Sequence, residues 1–259
     1  MKNGKPVGTA TFTAYHTMQL NQLSRTGSES IQYSKATIEG DAKGIEVSAT
    51  ATAVGTAKAS MNFPQGHVID GPFTAGVTYS DSVGPGKVNP SRTTYRYTFN
   101  KPGYATGADV YESAYYGCDD TFKRMSASCV FRDAPGAVSM VDLPYISAGI
   151  RALRASGGHY GDPNGGPVLH ALADSKQASK NRDAVCGKTA PTPAEKAQGR
   201  TWCDEYPFAA TYEGGTSLPA SQREITYTTP NEQQRQGGLI TAFKRKYRIL
   251  DHDPFYVIA

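Results

Sequence analysis

The chain has 259 residues, of which 38% are hydrophobic and 19% are charged, and its formal net charge is +4. These values are typical of globular proteins and exclude wholesale disorder or a fibrous architecture, while the length allows one large domain or two small ones. No stretch approaches the roughly 18 consecutive apolar residues that a membrane span requires, so we expect no membrane partner.

The N-terminal half has the composition and patterning of β-structure. Residues 5–132 are rich in Thr, Ser, Tyr, Val and Gly, and Tyr95, Tyr97 and Phe99 alternate with polar residues between them. Such a period of two is typical of a strand with one buried face. Similar runs occur at residues 8–15, 44–53 and 74–80. We predict an all-β, sandwich-like domain.

The composition of the sequence changes at residues 132–136, where charged residues, proline and glycine cluster. We predict a domain boundary there, with a β-rich accessory domain of unknown role at residues 1–134 and a second domain at residues 135–259. The fold class is then α+β overall, with the all-β domain first and a small α+β domain after it.

Helix signals dominate the second domain. Asp142 is placed to cap a helix that has Pro144 in its first turn. A second helix is predicted after residues 164–167 and extends toward Lys180, and residues 192–195 have the form of a capping box. A strand at residues 224–228, a helix beyond Gly237 and Gly238, and a terminal strand at residues 255–258 complete the predicted elements.

The last predicted helix carries a run of cations, Lys244, Arg245, Lys246 and Arg248. A local basic patch of this kind favours contact with the phosphates of a nucleic acid. The alternative is an ordinary solvated helix face, and the run alone does not distinguish the two.

Four cysteines fall in two close pairs, Cys118 with Cys129 and Cys186 with Cys203. Neither gap has the short spacing of zinc ligands, so we predict two local disulfide bonds, although four cysteines allow three pairings. Disulfides indicate an oxidising compartment, which favours secretion. The N-terminus has no signal-peptide pattern, but a signal peptide or a longer precursor upstream of Met1 stays open.

The densest cluster of acids in the second domain is Asp204 and Glu205, followed by Glu213 and then by Asn231. Adjacent carboxylates in an extended segment point to opposite sides, so we expect one to act in catalysis and the other in the structure. Such a short acidic pair is common by chance and does not by itself indicate an active site.

The wider pattern is more specific. Several segments of the C-terminal half together resemble the NucA/NucB family of extracellular deoxyribonucleases: residues 181–186, 203–209 (Cys-Asp-Glu-Tyr-Pro-Phe-Ala), 212–215, 231–239 and 253–257. The resemblance extends over residues 142–259 and includes nothing before residue 135. Short members of the family have Trp where this chain has Tyr206, and an Asp-Arg pair where it has Trp202 and Cys203.

The resemblance implies cleavage of DNA without sequence specificity, with Mg²⁺ or Mn²⁺ as the cofactor and a ββα-metal-like nuclease fold. By analogy with ββα-metal nucleases, Glu205 takes the position of the general base, and Asn231, with Asp204, holds the metal ion. Arg182 is expected to bind a phosphate group through two hydrogen bonds. The alternative is that Arg182 only forms an ion pair on the surface.

Other residues compete for these roles. His159 lies in a glycine-rich loop, and His170 and His252 are further alternatives to Glu205 as the base. Glu213 precedes two glycines and is a candidate for contact with the substrate or the metal, or for capping a turn.

A different class of function is also open. The chain can be a cell-surface or carbohydrate-binding protein in which Tyr111, Tyr115 and Tyr116 stack on a cell-wall or surface ligand and the nuclease-like domain is inactive. It can also be the tip of a delivered toxin, in which case an immunity or inhibitor protein is an expected partner.

Overall fold

The computed structural model describes residues 7–259, so the first six residues of the predicted N-terminal domain lie outside the described residues. The chain forms two compact units, which divide between Phe131 and Arg132.

The described part of the first unit is built from β-strands. They are β1 (Gly8–Thr11), β2 (Ala14–Leu20), β3 (Thr26–Tyr33), β4 (Thr37–Gly40), β5 (Glu46–Ala53), β6 (Ala57–Asn62), β7 (His67–Val68), β8 (Phe73–Asp81), β9 (Val88–Ser91), β10 (Thr93–Asn100), β11 (Gly107–Glu112), β12 (Tyr116–Asp119) and β13 (Ser128–Val130).

Two four-stranded sheets share one core in this unit. Their strand orders are β2-β3-β8-β6 and β11-β10-β5-β7, and the pairings are antiparallel. The core contains Ile31 and Val77 from the first sheet and Val47 and Tyr95 from the second. Arg96 is exposed beside the buried Tyr95, which is the alternation that the sequence predicts. The unit is therefore a β-sandwich, with β2 and β11 as edge strands.

Smaller sheets complete the first unit. Strand β1 pairs with β4, and β12 pairs with both β9 and β13. The disulfide between Cys118 and Cys129 joins β12 to β13.

The second unit mixes helices with short strands. Its elements are β14 (Gly136–Ser139), α1 (Pro144–Ala155), β15 (Leu169–His170), α2 (Ser175–Cys186), α3 (Pro193–Ala197), β16 (Trp202–Tyr206), β17 (Glu224–Thr228), α4 (Pro230–Tyr247) and β18 (Pro254–Ile258). A mostly β region followed by a small α+β region is the fold class that the sequence predicts.

The sheets of the second unit are small. Strand β18 lies between β14, to which it is parallel, and β15, to which it is antiparallel. Strands β16 and β17 form a separate antiparallel pair. Helix α4 follows β17 after Thr229 alone, so the order from residue 202 to residue 247 is strand, strand, helix.

Helix α1 is capped differently from the prediction. Its N-cap is Leu143, whose side chain cannot accept a hydrogen bond, and not Asp142. Instead, Glu232 of α4 accepts from the backbone N–H groups of Tyr145 and Ile146 at 2.8 and 3.0 Å. A carboxylate at this end of a helix stabilises the unpaired N–H groups, so α4 supplies the cap that the local sequence lacks.

Two further helix starts differ from the prediction. The segment before Lys180 first forms β15, because Leu169 pairs with Phe255 of β18, and α2 begins only after Asp174. Asp174 accepts from the backbone N–H groups of the first turn of α2 and is therefore its cap. Helix α4 begins at Pro230, with Thr229 as its N-cap, and continues through Gly237 and Gly238. The capping box predicted from Thr192 is present in α3.

Two disulfide bonds are present, and they pair the cysteines as predicted. The second joins Cys186, at the end of α2, to Cys203 of β16. Among the described residues, no helix combines the length and the apolar character that crossing a membrane requires.

Candidate active site

A cavity of about 410 Å³ opens where α2, β16 and α4 meet in the second unit. Its lining comes from these elements and from the loop after β16, and consists of Arg182, Asp204, Glu205, Phe208, Ala209, Ala210, Gln233, Gln236, Gly237, Ile240, Thr241 and Lys244. The two acidic residues singled out in the sequence both face this cavity.

The alternation of β16 gives the two carboxylates different neighbours. Asp204 and Glu205 are opposite Thr226 and Ile225 in the register with β17, and successive side chains of a strand point to opposite faces. Asp204 contacts α4, whereas Glu205 contacts α2. The two acids therefore have different neighbours, but both line the cavity, and this arrangement does not assign one to catalysis and the other to the structure.

Asp204 is only 4% exposed and is held by two amides of α4. Nε2 of Gln233 donates to its Oδ1 and Nε2 of Gln236 donates to its Oδ2, each at 3.1 Å. Burial raises the pKa of Asp204 to about 7, and the charge of Glu205 acts in the same direction, while the two amides oppose the shift.

Glu205 is 3% exposed and pairs with an exposed arginine. Nε of Arg182 lies 3.4 Å from its Oε1, and the backbone N–H of Ala209 also donates to the carboxylate. Burial raises the pKa of Glu205 above its usual value, and the charge of Arg182 and these hydrogen bonds reduce the shift. The arginine therefore favours the ionised form of Glu205.

The disulfide bond between α2 and β16 borders Glu205. Sγ of Cys186 lies 3.4 Å from Oε2 of Glu205, and the two sulfur atoms and this carboxylate lie within 4.8 Å of one another. Metal ions bind cysteine as the thiolate, and sulfur atoms joined in a disulfide carry neither that charge nor a proton. In the oxidised chain this cluster is therefore not a metal site.

The oxygen atoms on the α4 side of the cavity do fit a metal. Oε1 of Gln233 is buried without a hydrogen-bond partner, while Nε2 of the same amide donates to Asp204. An unpartnered buried acceptor costs about 1–3 kcal/mol, and a cation beside it removes that cost. Carboxylate and amide oxygens suit hard divalent cations such as Mg²⁺, Mn²⁺ and Ca²⁺, so Asp204 and Gln233 could hold one.

Three residues selected from the sequence as candidates for the chemistry or for phosphate binding line the cavity with Asp204. They are Glu205, Arg182 and Lys244. Burial lowers the pKa of Lys244, which lies on the same face of α4 as Gln233 and Gln236.

Other selected residues lie elsewhere. Asn231 is exposed in the first turn of α4, and His159 is exposed in the loop after α1, where its backbone N–H bonds to Gln222. Neither side chain lines the cavity. At the cavity, α4 contributes Gln233, which is two positions further along the helix than Asn231.

Glu213 is paired with His170 outside the cavity lining. One carboxylate oxygen of Glu213 lies 2.7 Å from Nδ1 of His170, and the other accepts from its backbone N–H at 2.9 Å. These bonds tie the loop after β16 to β15.

The predicted basic patch is smaller than the sequence indicates. Arg245 and Lys246 are exposed, but Arg248 is 1% exposed and is not part of a surface patch. The reason is that α4 ends at Tyr247, and Arg248, its C-cap, adopts a left-handed conformation, so that its position no longer follows the helical face.

Comparison with known families concerns this unit. Residues 162–258 match the family model named Deoxyribonuclease NucA/NucB. The C-terminal part of the chain contains a NucA/NucB domain. The match runs from the loop before β15 to the end of β18 and therefore includes every residue that lines the cavity. A comparison with curated proteins found no match.

The sequence reasoning missed the two glutamines of the NucA/NucB domain that contact Asp204. Gln233 and Gln236 are three residues apart, so they lie on one face of α4. The spacing indicates a shared helix face only if the helix is predicted to begin at Pro230, with Thr229 as its N-cap, and not beyond Gly238. The signal was therefore present in the sequence as an N-cap followed by proline.

Proposed function

We propose that the protein is a secreted endonuclease that uses a divalent metal ion to hydrolyse phosphodiester bonds in DNA without sequence specificity. The observation that carries the proposal is the pair of buried carboxylates next to the unpartnered oxygen of Gln233, inside the region that matches the NucA/NucB model. In this proposal the first unit is an accessory domain.

Asp204 and Gln233 hold the metal ion. Gln236 keeps the carboxylate of Asp204 in place through its bond to Oδ2, and the contacts on both carboxylate oxygens limit rotation of the side chain. A bound Mg²⁺ or Mn²⁺ ion supplies positive charge that stabilises the charge developing on the phosphate and on the leaving oxygen.

Glu205 is the general base, as the sequence suggested. In its ionised form it accepts a proton from the attacking water, and the charge of Arg182 favours that form in the absence of substrate. The side chain of Arg182 is 57% exposed and contacts Glu205 through Nε, so its terminal nitrogens are accessible to a phosphate group. Its guanidinium group then donates two parallel hydrogen bonds to the phosphate.

The absence of sequence specificity follows from the chemistry of the lining. Its cations are Arg182 and Lys244, with the exposed Arg245 and Lys246 further along α4. Such groups bind phosphates, which carry no sequence information directly. Secretion is supported by the two disulfide bonds, which persist in oxidising compartments.

Cleavage of a supercoiled plasmid by the full chain tests the proposal. We expect nicking with Mg²⁺ or Mn²⁺, complete loss with excess EDTA, and recovery when the metal is returned. Asp183→Asn is the matched control for Glu205→Gln, because Asp183 is an exposed acid next to Arg182 that does not line the cavity. Cleavage that continues in EDTA, or in Glu205→Gln at the rate of the control, contradicts the proposal.

A further inference from the structure

The first unit contains a pocket of about 560 Å³ beside β2 and β11, which are edge strands of its two four-stranded sheets. Its size is within the range of small-molecule sites. The described residues that line it are Ala10, Thr11, Phe12, Ala14, Tyr15, His16, Tyr97, Phe99, Asp109 and Tyr111. The lining therefore combines five phenylalanine or tyrosine rings and one imidazole with a single carboxylate.

The rings that line the pocket belong to β2, β10, β11 and the segment between β1 and β2. Tyr97 and Phe99 of β10 lie 6.5 Å apart with nearly parallel planes, and Phe12 meets Phe99 edge-on at 6.0 Å. The rings of His16 and Tyr111 lie 4.5 Å apart across the gap between β2 and β11. Aromatic faces carry negative charge density, so a pocket enclosed by them attracts cations.

The polar groups at the base of the pocket are already engaged. The Tyr33 hydroxyl donates to that of Tyr97 at 3.0 Å, and Tyr97 contacts Nε2 of His16 at 3.1 Å. Nδ1 of His16 bonds to Glu29 at 2.7 Å. Glu29 also accepts from Tyr79 and Tyr95, so this network has no free donor for the hydroxyl groups of a ligand.

Asp109 is the only Asp, Glu, Lys or Arg among the described residues that line the pocket. Asp109 is exposed on β11 opposite Tyr97, and no lysine or arginine is among the described lining residues. Tyr111, which is 44% exposed, follows on the same face of the strand. A carboxylate beside a group of aromatic rings is complementary to an organic cation.

A sugar fits this lining less well. The polar atoms of Tyr97 and His16 are used in internal bonds, so a sugar would have only the hydroxyl groups of Thr11, Tyr15 and Tyr111 and the Asp109 carboxylate as partners. The three tyrosines that the sequence suggested for stacking also differ from one another. Tyr116 is 2% exposed and cannot reach a ligand, and Tyr115 is covered by the guanidinium group of Arg92 at 3.8 Å. Only Tyr111 of the three lines the pocket.

We infer that the first unit binds a small alkylated ammonium compound, with the cationic group against the rings of Tyr97, Phe99 and Tyr111 and near the carboxylate of Asp109. This inference does not depend on the proposed nuclease activity, since every residue it uses belongs to the first unit.

Calorimetric titration of the full chain with choline tests the inference. The control ligand is the neutral carbon analogue of choline, in which a tert-butyl group replaces the trimethylammonium group while the shape is kept. We expect saturable binding of choline and binding of the neutral analogue that is about 3- to 30-fold weaker, the range that a cation–π contact contributes. Equal affinity for the two compounds overturns the inference, because shape alone then accounts for binding.

Variants on β11 separate a local site from general attraction. Asp109→Asn should weaken choline binding by a similar factor without affecting the neutral analogue, whereas Glu112→Gln, on the opposite face of the same strand, should leave it unchanged. Tyr111→Phe should retain binding and Tyr111→Ala should weaken it. Equal effects of Asp109→Asn and Glu112→Gln, or saturable binding of N-acetylglucosamine in place of choline, overturn the inference.

Discussion

The side-chain nitrogen of Gln233 donates to Oδ1 of Asp204 at 3.1 Å, and the oxygen of the same amide is buried without a partner. The contact joins α4 to β16 and places a second oxygen beside the buried carboxylate. Under the proposed function, this contact makes Gln233 the metal ligand on α4, whereas the sequence had suggested Asn231.

Gln233→Met should raise the metal concentration needed for half-maximal plasmid cleavage by about 10-fold or more, since methionine keeps the length of the side chain but lacks the hard oxygen. At saturating metal, much of the activity should return. Asn231→Ala is the control on the same helix and should not change the metal dependence. Cleavage against Mn²⁺ concentration measures both variants, and a larger effect of Asn231→Ala would restore the assignment made from the sequence.

Glu205→Gln should reduce the cleavage rate on the order of 10²–10⁴-fold, because an amide keeps the size of the carboxylate but cannot accept the proton of the water. DNA affinity, measured by filter binding in Ca²⁺, should change little. Near-ultraviolet circular dichroism checks that the fold is kept. A residual rate above about a tenth of the wild type would transfer the role of base to another group, and His159→Ala is then the next variant.

Arg182→Ala should lower cleavage by about 10- to 100-fold, the range for a lost hydrogen bond to a charged group. Arg182→Lys keeps the charge but not the fork of donors, so it should recover only part of the activity. Because Arg182 also pairs with the buried Glu205, the unfolding temperature of both variants is measured to separate a loss of stability from a loss of phosphate binding. Full recovery by lysine would show that charge alone suffices and that two-point binding is not used.

The disulfide bond between Cys186 and Cys203 should matter for catalysis as well as stability. The two cysteines are 17 residues apart in sequence, and loss of the bond should lower the free energy of unfolding by about 3 kcal/mol. The bond also ties the helix that carries Arg182 to the strand that carries Glu205. Replacing both cysteines by serine should therefore lower the melting temperature of the second unit and reduce cleavage.

The bond between Cys118 and Cys129 provides the matched control for that variant. Replacing these two cysteines by serine should destabilise the first unit and leave the rate of cleavage unchanged. Calorimetry and plasmid cleavage on the same preparations measure both effects. An equal loss of cleavage in the two double variants would contradict a specific role for the second disulfide.

The first unit should lose stability in acid through Glu29. Burial opposes ionisation of this carboxyl, but the hydrogen bonds from His16, Tyr79 and Tyr95 outweigh it and hold its pKa below the usual 4.5. A depressed pKa in the folded state stabilises the fold above the unfolded value, and this contribution is lost as the pH falls through the folded value. Melting temperatures of the wild type should therefore decline below pH 4.5, and Glu29→Gln should be less stable at pH 6 with a flatter decline. A parallel decline in both proteins would contradict this role.

Local patterns in the sequence determined many of the strands, helices and disulfide bonds of the protein. The alternation around Tyr95 and Tyr97, the capping box at Thr192 and the cysteine spacing each depend on neighbours along the chain, and the structure contains the corresponding strand, helix and disulfide bonds. The motif at residues 203–209 likewise identified the region that carries the NucA/NucB match.

Only the tertiary structure decided which side chains meet. Leu169 forms a strand because Phe255 lies beside it, and Glu232 caps α1 because α4 brings it there, although 86 residues or more separate each pair in sequence. Gln233 became a ligand candidate in place of Asn231 because the start of α4 sets which face meets Asp204. Two positions along a helix rotate a side chain by more than half a turn, so the motif predicts the helix but not the residue that reaches the cavity.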